Sequence, residues 1–251
     1  MQPKSVIVTG AGAGLGKGIA ERLAADGFDV AVTDIDAQAA EGVAEDLRAR
    51  GLGARAYALD VSDPEQVDSV VERVIASQPQ LYGLVNNAGI GRATAFLDIS
   101  KKDWDRITAV NTTGPFLMSQ AVIKELIKHH EGSIVNLSSI AGKDGFPQWV
   151  HYGVTKHAVI GLTRGLAREF GGEGIRVNAI CPGAVKTAIW GAEAQGTDDP
   201  DALFASLASR TALGRGQSVE DIAAATSFLI GNEAINITGI SLSVDSGLLF
   251  S

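Results

Sequence analysis

The chain has 251 residues, 45% of them hydrophobic and 20% charged, a composition typical of a globular chain with ample core. Its net charge of -8 and isoelectric point near 5.0, with no basic cluster beyond Lys101-Lys102, disfavour nucleic acid and anionic membranes as partners. The single cysteine, Cys181, excludes an internal disulfide and a cysteine-based metal cluster.

Strand-like and helix-like segments alternate along the chain. The predicted strands are residues 5–9, 28–34, 54–60, 81–86, the apolar run that ends at 137, 175–180 and 240–244. The predicted helices are residues 14–26, a segment through about 50, a segment from 64 capped by Ser62 or Asp63, 102–128, the segment after 149, and 219–230. This strict alternation predicts an α/β fold with a doubly wound, mostly parallel sheet and helices on both faces.

Domain organisation follows from the same pattern. No repeat, low-complexity tract or linker interrupts it, so we expect a single domain over residues 1–251. Residues 184–213 lack clear periodicity and contain Gly-Thr-Asp-Asp-Pro, which predicts a mobile lid over a substrate.

The first strand–helix junction is rich in glycine and reads T-G-A-G-A-G-L-G at residues 9–16. Glycines allow a tight turn there and let backbone N–H groups approach a pyrophosphate at the helix N-terminus. Asp34 ends the next strand, where a carboxylate can accept hydrogen bonds from an adenosine ribose. This context favours dinucleotide binding over the simpler interpretation of a flexible turn and a solvated aspartate.

A second group of polar residues follows the strand that ends at Leu137. Tyr152 comes thirteen residues after Ser139, and Lys156 lies one helical turn after Tyr152. A Lys ammonium beside a Tyr phenol lowers the pKa of the phenol, and a Ser hydroxyl can hydrogen-bond an oxygen held against it. The three predict a proton-transfer site for an alcohol or carbonyl oxygen, although a Tyr-x-x-x-Lys pair alone is also an ordinary helix face.

Together these motifs resemble those of the compact, single-domain short-chain dehydrogenases/reductases. The matching segments are T-G-A-G-A-G-L-G (9–16), D-V (60–61), N-N-A-G (86–89), V-N-T-T-G (110–114), Ser139, Y-x-x-x-K (152–156), P-G-A-V-K-T (182–187), G-R-G-Q-S-V-E-D-I-A (214–223) and I-T-G-I-S-L-S-V-D-S-G (237–247). The resemblance therefore covers essentially the whole chain, and it implies a Rossmann fold.

The resemblance also implies the roles of individual residues. The implied catalytic residues are Asn111, which would kink its helix and fix a water, Ser139, Tyr152 as general acid/base, and Lys156. The implied cofactor-binding residues are Gly10, Gly12, Leu15, Gly16, Asp34, Ile35, Asp60, Val61, Asn87, Ala88, Gly89, Tyr152, Lys156, Gly183, Val185 and Thr187. The substrate is expected to contact Ser139, Trp149 and Tyr152, and no metal site is expected.

The expected reaction is hydride transfer between NAD and a secondary alcohol or ketone. NAD is expected because the Asp34 carboxylate would repel the 2′-phosphate of NADP, and Ala13 and Ile35 stand where NADP-preferring relatives often carry a basic side chain. Two alternatives stay open: an NADPH-dependent 3-oxoacyl-thioester reductase, and a non-catalytic dinucleotide-binding regulator on the same fold. A methyltransferase would not be expected to carry N-N-A-G or Y-x-x-x-K.

Substrate identity is not determined by these motifs. Trp149 either walls the substrate pocket or packs in the core, and Arg92, Lys143 and Trp190 are weaker pocket candidates. The C-terminal L-L-F-S is also expected to shape the pocket. A sugar, a hydroxy acid and an aromatic alcohol therefore all remain open as substrates.

Assembly and location are the last expectations. The apolar residues of the segment 157–167 spread over more than one helical face, which favours burial against a partner, and relatives are commonly homotetramers. We expect a homotetramer, with a dimer as the alternative. The N-terminus shows no charged-then-apolar leader and no run approaches about 18 apolar residues, so a cytoplasmic location is expected.

Overall fold

The computed structural model describes residues 4–186 and 199–250. Within them, seven strands form one parallel sheet. The strands are β1 (Ser5–Thr9), β2 (Asp29–Asp34), β3 (Ala54–Ala58), β4 (Leu81–Asn86), β5 (Gly132–Leu137), β6 (Ile175–Pro182) and β7 (Ser241–Val244). Their order in the sheet is β3-β2-β1-β4-β5-β6-β7, and every neighbouring pair is parallel. The predicted doubly wound parallel sheet is confirmed.

Eight α-helices accompany the sheet in the described part of the chain. They are α1 (Gly14–Ala25), α2 (Ala37–Ala49), α3 (Pro64–Ser77), α4 (Lys101–Thr108), α5 (Gly114–His129), α6 (Val150–Phe170), α7 (Pro200–Ser209) and α8 (Val219–Ile230). Side chains of α1, α2 and α8 form one apolar core with one face of the sheet, and those of α3, α5 and α6 form a second core with the other face. The sheet is therefore covered on both sides, which is why its central strands read as continuous apolar runs.

The chain direction within the sheet places a ligand crevice. Strand order reverses between β1 and β4, which are neighbours although β2 and β3 separate them in sequence. The helices that follow β1 and β4 lie on opposite faces of the sheet, so a gap opens beyond the carboxyl ends of these strands. Residues directly after β1, β4, β5 and β6 are therefore expected to share one site.

Two predicted helical features differ from the structure. The helix predicted over residues 102–128 is divided into α4 and α5 by a π-helical turn, Ala109–Thr113. The sequence pattern predicts no helix within residues 184–213, whereas Pro200–Ser209 forms α7. The signal was present in the sequence: Asp199 caps this helix by accepting a hydrogen bond from Ala202 N at 2.9 Å, and Pro200 occupies its first turn. Residues 187–198 of the predicted lid fall outside the described residues.

Asp63 rather than Ser62 caps α3, since its carboxylate accepts hydrogen bonds from Glu65 N and Gln66 N at 3.0 and 3.2 Å. The Ser62 side chain instead donates to Asp60. Among the described residues, no helix combines the length and apolar character needed to cross a membrane.

Candidate active site

A cavity of about 1140 Å³ lies at the carboxyl ends of the strands. Its walls include fifteen of the residues expected at the site: Gly10, Leu15, Asp34, Ile35, Asp60, Val61, Asn87, Ala88, Gly89, Ser139, Trp149, Tyr152, Lys156, Gly183 and Val185. The topology therefore brings residues from opposite ends of the chain to one place. Of the remaining expected residues, Gly12, Gly16 and Asn111 do not line the cavity, and Thr187 falls outside the described residues.

Tyr152 and Lys156 lie one turn apart on α6, and both side chains face the cavity. Lys156 Nζ is 5.5 Å from the centroid of the Tyr152 ring. The same ammonium donates a hydrogen bond to the carbonyl oxygen of Leu137, at the end of β5, at 2.8 Å. This bond fixes the lysine beside the phenol, where its charge favours the ionised form of the ring hydroxyl.

Burial controls the charge of this lysine. The side chain is almost completely enclosed, and desolvation lowers the pKa of Lys156 from 10.5 to about 8, against a smaller opposing effect of the neighbouring Cys181. At pH 7 the ammonium form still predominates, because the pKa stays above that pH. The group can therefore act as a fixed cation at neutral pH and lose its proton under mildly alkaline conditions.

Two adjacent serines enter the site after β5, and their hydrogen bonds separate their roles. Ser138 is buried and donates its hydroxyl hydrogen to the carbonyl oxygen of Lys156 at 2.9 Å. Ser139 accepts a hydrogen bond from Ala141 N at 3.1 Å. The Ser139 hydroxyl hydrogen thus stays available to an oxygen in the cavity, whereas that of Ser138 is already used by the helix.

Asn111 occupies the π-helical turn, so the helix distortion expected at this residue is present. Its side chain accepts from Ile90 N at 2.9 Å and donates to Ile90 O at 2.8 Å and to Thr155 Oγ1 at 3.2 Å. Thr155 in turn donates to the carbonyl oxygen of Tyr152 at 2.7 Å. Asn111 therefore joins the loop after β4 to the helix that carries Tyr152.

The glycine-rich junction forms one end of the cavity. Gly10 has a positive φ of 62°, and a Cβ there would lie 2.9 Å from the Cα of Ala88, so only glycine fits without displacement. Asn87 holds this loop by donating to Thr9 O at 2.8 Å and to Gly10 O at 3.0 Å. Helix α1 begins after Ala13 without any side-chain cap, so its N-terminus presents backbone N–H groups to the cavity. An uncapped helix N-terminus of this kind fits a pyrophosphate.

Asp34 stands beside that junction. Its carboxylate accepts hydrogen bonds from Gly12 N at 2.9 Å and from Asp36 N at 3.0 Å. These two bonds leave acceptor positions on both oxygens, because a carboxylate has about four lone-pair sites. Ile35, 73% exposed, offers an apolar edge next to it. The donor and acceptor set therefore suits a nicotinamide dinucleotide, with the adenosine at Asp34 and the reacting ring near Tyr152.

The other end of the cavity is mostly apolar. The Trp149 ring meets that of Tyr152 edge to face, with centroids 5.2 Å apart, so Trp149 is both cavity wall and partner of the phenol. Leu248 and Leu249 also line the cavity, as does Phe146. Arg106, Leu207 and Arg210 are among the lining side chains that were not singled out from the sequence. Only the predicted position of a lid could have pointed to Leu207 and Arg210.

Two of the weaker pocket candidates lie outside the cavity wall. Lys143 donates from Nζ to Ser243 Oγ of β7 at 2.8 Å, and so connects the loop after Ser139 to the edge of the sheet. Arg92 is exposed and is not among the lining residues. Trp190, the third candidate, falls outside the described residues.

Known proteins are similar to this chain over nearly its whole length. A protein-family profile described as enoyl-(acyl carrier protein) reductase matches residues 10–249. The chain is 37% identical to 2-(S)-hydroxypropyl-CoM dehydrogenase 3 of Xanthobacter autotrophicus over 97% of its length and 95% of that protein. It is also 37% identical to the (S)-acetoin-forming diacetyl reductase of Staphylococcus epidermidis, over 98% of its length and 99% of that protein.

A solved structure is similar throughout. The gluconate 5-dehydrogenase of Burkholderia cenocepacia J2315, in complex with NADP and tartrate, superimposes with a TM-score of 0.91 at 30% identity. The match covers 98% of this chain and 94% of that one. These similarities span the glycine-rich junction, the Tyr–Lys helix and the C-terminal segment alike.

Proposed function

Since the chain belongs to the short-chain dehydrogenase/reductase family, whose members act on hydroxyl and keto groups, we propose that it transfers a hydride between NAD and a secondary alcohol or ketone. Tyr152 is the proposed general acid/base. The observation that carries the proposal is the Tyr152–Lys156 pair, which shares one cavity with an uncapped helix N-terminus and the Asp34 carboxylate.

The proton chemistry follows from the side chains around Tyr152. In oxidation, the phenol accepts the proton of the substrate hydroxyl, and in reduction it returns a proton to the carbonyl oxygen. Lys156 lies 5.5 Å from the ring centroid and stabilises the negative charge that forms on the phenolate. The Ser139 hydroxyl orients the substrate oxygen by hydrogen bonding. Asn111 does not face the cavity but holds the helix turn that carries Tyr152, through its hydrogen bond to Thr155.

A nicotinamide dinucleotide would supply the hydride acceptor or donor for this reaction. The residues proposed to hold it are the glycine-rich junction, Asp34, Asp60-Val61, the 87–89 segment, Lys156 and the 183–185 segment, all of which border the cavity apart from Gly12 and Gly16. We propose NAD rather than NADP because Asp34 would meet the 2′-phosphate and Ile35 adds no positive charge beside it. The similar gluconate 5-dehydrogenase structure contains NADP, so this choice requires its own measurement.

The two alternatives make different use of the same site. An NADPH-dependent 3-oxoacyl-thioester reductase would need a cation for the 2′-phosphate near Asp34, and neither Ala13 nor Ile35 provides one. A non-catalytic regulator would bind a dinucleotide without requiring Tyr152, Lys156 and Ser139 in the same cavity. We therefore favour the alcohol–ketone oxidoreductase over both.

We further propose that the whole chain acts as one catalytic domain and assembles as a homotetramer. Val150, Val154 and Phe116 expose 40%, 48% and 47% of their surface on α6 and α5, as expected for apolar faces that meet a partner. A monomeric mass in light scattering at micromolar concentration would contradict this assembly. The cytoplasmic location and the role of residues 184–213 as a lid are likewise proposals.

The function is tested by supplying purified protein with NAD and a panel of secondary alcohols while following NADH absorbance. We expect at least one alcohol to be oxidised, and the corresponding ketone to be reduced with NADH. Absence of turnover across sugars, hydroxy acids and simple alcohols with both NAD and NADP, while calorimetry shows dinucleotide binding, would favour the regulator.

A further inference from the structure

We propose that the substrate carries a carboxylate away from its reacting carbon, and that Arg210 binds this carboxylate. The inference rests on the proposed function, because it assumes that the alcohol or ketone occupies the apolar end of the cavity beside Tyr152. It assigns Arg210 as a specificity-determining residue of that site.

Arg210 belongs to a corner of the cavity formed by Leu207, Arg210, Leu248 and Leu249. Leu207 and Arg210 lie one turn apart at the end of α7. The residues just after α7 contact the C-terminal segment through two backbone hydrogen bonds, Ala212 N to Gly247 O at 3.2 Å and Leu213 N to Ser246 O at 3.1 Å. The corner is thus assembled from two distant parts of the chain.

The C-terminal side of the corner is held by a buried carboxylate. Asp245 is 4% exposed and accepts hydrogen bonds from Gly247 N and Leu249 N, both at 3.0 Å. These bonds fold the backbone after β7 into a tight loop, so Leu248 and Leu249 are presented to the cavity in a fixed arrangement. Arg210 is consequently a cation placed beside a preformed apolar wall.

Within the described residues the guanidinium of Arg210 makes no hydrogen bond or ion pair, and it is the one charged group of the corner. An arginine fork matches the geometry of a carboxylate with two parallel hydrogen bonds. Five other charged side chains line the cavity. Lys156 lies beside the Tyr152 phenol, and Asp144 lies on the loop that carries Phe146. Asp34 and Asp60 lie at the end of the cavity proposed to hold the adenosine.

Arg106, the remaining cation of the cavity wall, is placed differently. It shares one face of α4 and the following turn with Ala109 and Val110, and Val110 packs against the core that contains Leu59 and Val61. None of these residues belongs to the corner formed by Leu207, Arg210, Leu248 and Leu249. This position makes it a suitable control: an arginine of the same cavity that lies away from the proposed carboxylate.

The test compares each of three hydroxy acids with its own methyl ester: 3-hydroxybutyrate, 4-hydroxypentanoate and 5-hydroxyhexanoate. Acid and ester differ in charge but share the reacting carbinol. We expect wild-type kcat/KM to favour the acid over the ester for at least one chain length. In R210L that acid-to-ester ratio should fall about 10-fold to 100-fold, as expected for loss of a charge-assisted hydrogen bond. R210K should retain part of the preference, because it keeps the charge but not the fork.

R106L and R215L are the matched controls. Arg106 lines the cavity from α4, outside the proposed corner, and Arg215 lies near Arg210 in sequence but outside the cavity wall. Both should keep the wild-type acid-to-ester ratio. An equal preference for acid and ester in the wild-type protein, or an unchanged ratio in R210L, would overturn the inference. In either case turnover of the esters would leave the proposed function intact.

If neither acids nor esters turn over, no acid-to-ester ratio of kcat/KM exists, and binding alone decides the inference. Calorimetry would then titrate NAD-saturated protein with 4-oxopentanoate and with its methyl ester. Tighter binding of the acid in wild type, weakened in R210L but retained in R106L, would support the carboxylate site. Equal affinity for acid and ester, or no binding of either, would overturn it.

Discussion

The hydroxyl of Ser138 donates a hydrogen bond to the carbonyl oxygen of Lys156 at 2.9 Å. This bond links the end of β5 to the helix that carries both Tyr152 and Lys156. It also removes Ser138 from the chemistry, because its single hydroxyl hydrogen is already donated. The neighbouring Ser139 keeps its hydrogen for the cavity.

The two serines should therefore respond differently to substitution. Ser139→Ala is expected to lower kcat by about 10-fold or more, since it removes a hydrogen bond to the reacting oxygen, with little change in melting temperature. Ser138→Ala should instead destabilise the protein by about 1 kcal/mol, the usual contribution of a buried hydrogen bond. Denaturant unfolding and steady-state kinetics of both variants provide the check. Equal losses of kcat in the two variants would contradict the assignment.

Tyr152→Phe should abolish most turnover, because it removes the proposed proton carrier while preserving the ring that packs against Trp149. General acid–base catalysis contributes about 10²-fold to 10⁴-fold, so kcat should fall at least 100-fold. Affinity for NAD should change little, since the glycine-rich junction and Asp34 hold most of the dinucleotide. Kinetics and NAD calorimetry of the purified variant would measure both quantities.

Tyr82→Phe is the control for this substitution. Tyr82 is also buried and donates its hydroxyl to Ile230 O at 3.2 Å, but it lies outside the cavity wall. Loss of this hydroxyl should reduce the free energy of unfolding and leave kcat near the wild-type value. Wild-type turnover in Tyr152→Phe would reduce Tyr152 to a packing residue and contradict its role as general acid/base.

Cofactor preference should depend on Asp34 and Ile35. In the wild type we expect kcat/KM with NAD to exceed that with NADP. The double substitution Asp34→Ser, Ile35→Arg removes the repelling carboxylate and adds a cation for the 2′-phosphate. The NAD-to-NADP preference should fall by about 10-fold to 100-fold, measured as the ratio of the two kcat/KM values.

Asp36→Ser serves as the comparison for that experiment. Asp36 caps α2 by accepting hydrogen bonds from Gln38 N and Ala39 N, and it is not part of the cavity wall. This variant should retain the wild-type cofactor ratio, since serine is itself an acceptable cap. If the wild-type protein had equal kcat/KM values with NADP and NAD, Asp34 would not discriminate between the ribose hydroxyl and the 2′-phosphate.

Stability should depend on pH through Lys156. Burial lowers the pKa of Lys156 to about 8, below its ordinary value of 10.5, so the unfolded chain binds this proton more tightly than the folded one. The cost of holding the charged lysine is thus fully present below pH 8 and is relieved as pH rises from about 8 to 10.5. Between pH 7 and pH 10 the wild-type protein should gain about 2–3 kcal/mol relative to Lys156→Met.

The measurement is denaturant unfolding of wild type and Lys156→Met at several pH values in that range. Titrating groups that do not interact with Lys156 behave alike in the two proteins, so their effects cancel in the difference. A difference in unfolding free energy that stayed constant with pH would mean that Lys156 titrates near its ordinary pKa in the folded protein.

Much of the architecture was determined locally by the sequence. Val6 to Val8 and Ile134 to Val135 read as buried strands because both of their faces meet helices, and the structure confirms them. The predicted spacing of Tyr152 and Lys156 places them on one helical turn, a relation set by helix geometry alone. Asp199 and Pro200 also mark the start of α7, although the segment 184–213 lacks clear periodicity. Signals of this kind act within one or two turns and need no tertiary contact.

The tertiary structure decided what those elements touch. The sequence determined the strands, most of the helices and the spacing of Ser139, Tyr152 and Lys156. Only the folded chain showed that Ser138 bonds Lys156 O, that Asn111 reaches Ile90 and Thr155, and that the end of α7 meets the C-terminal loop beside Arg210. The physical reason is the sequence separation of the interacting residues. Helix and strand periodicity and helix caps depend on neighbouring residues in the chain, whereas side-chain partners and cavity walls depend on packing between segments far apart in sequence.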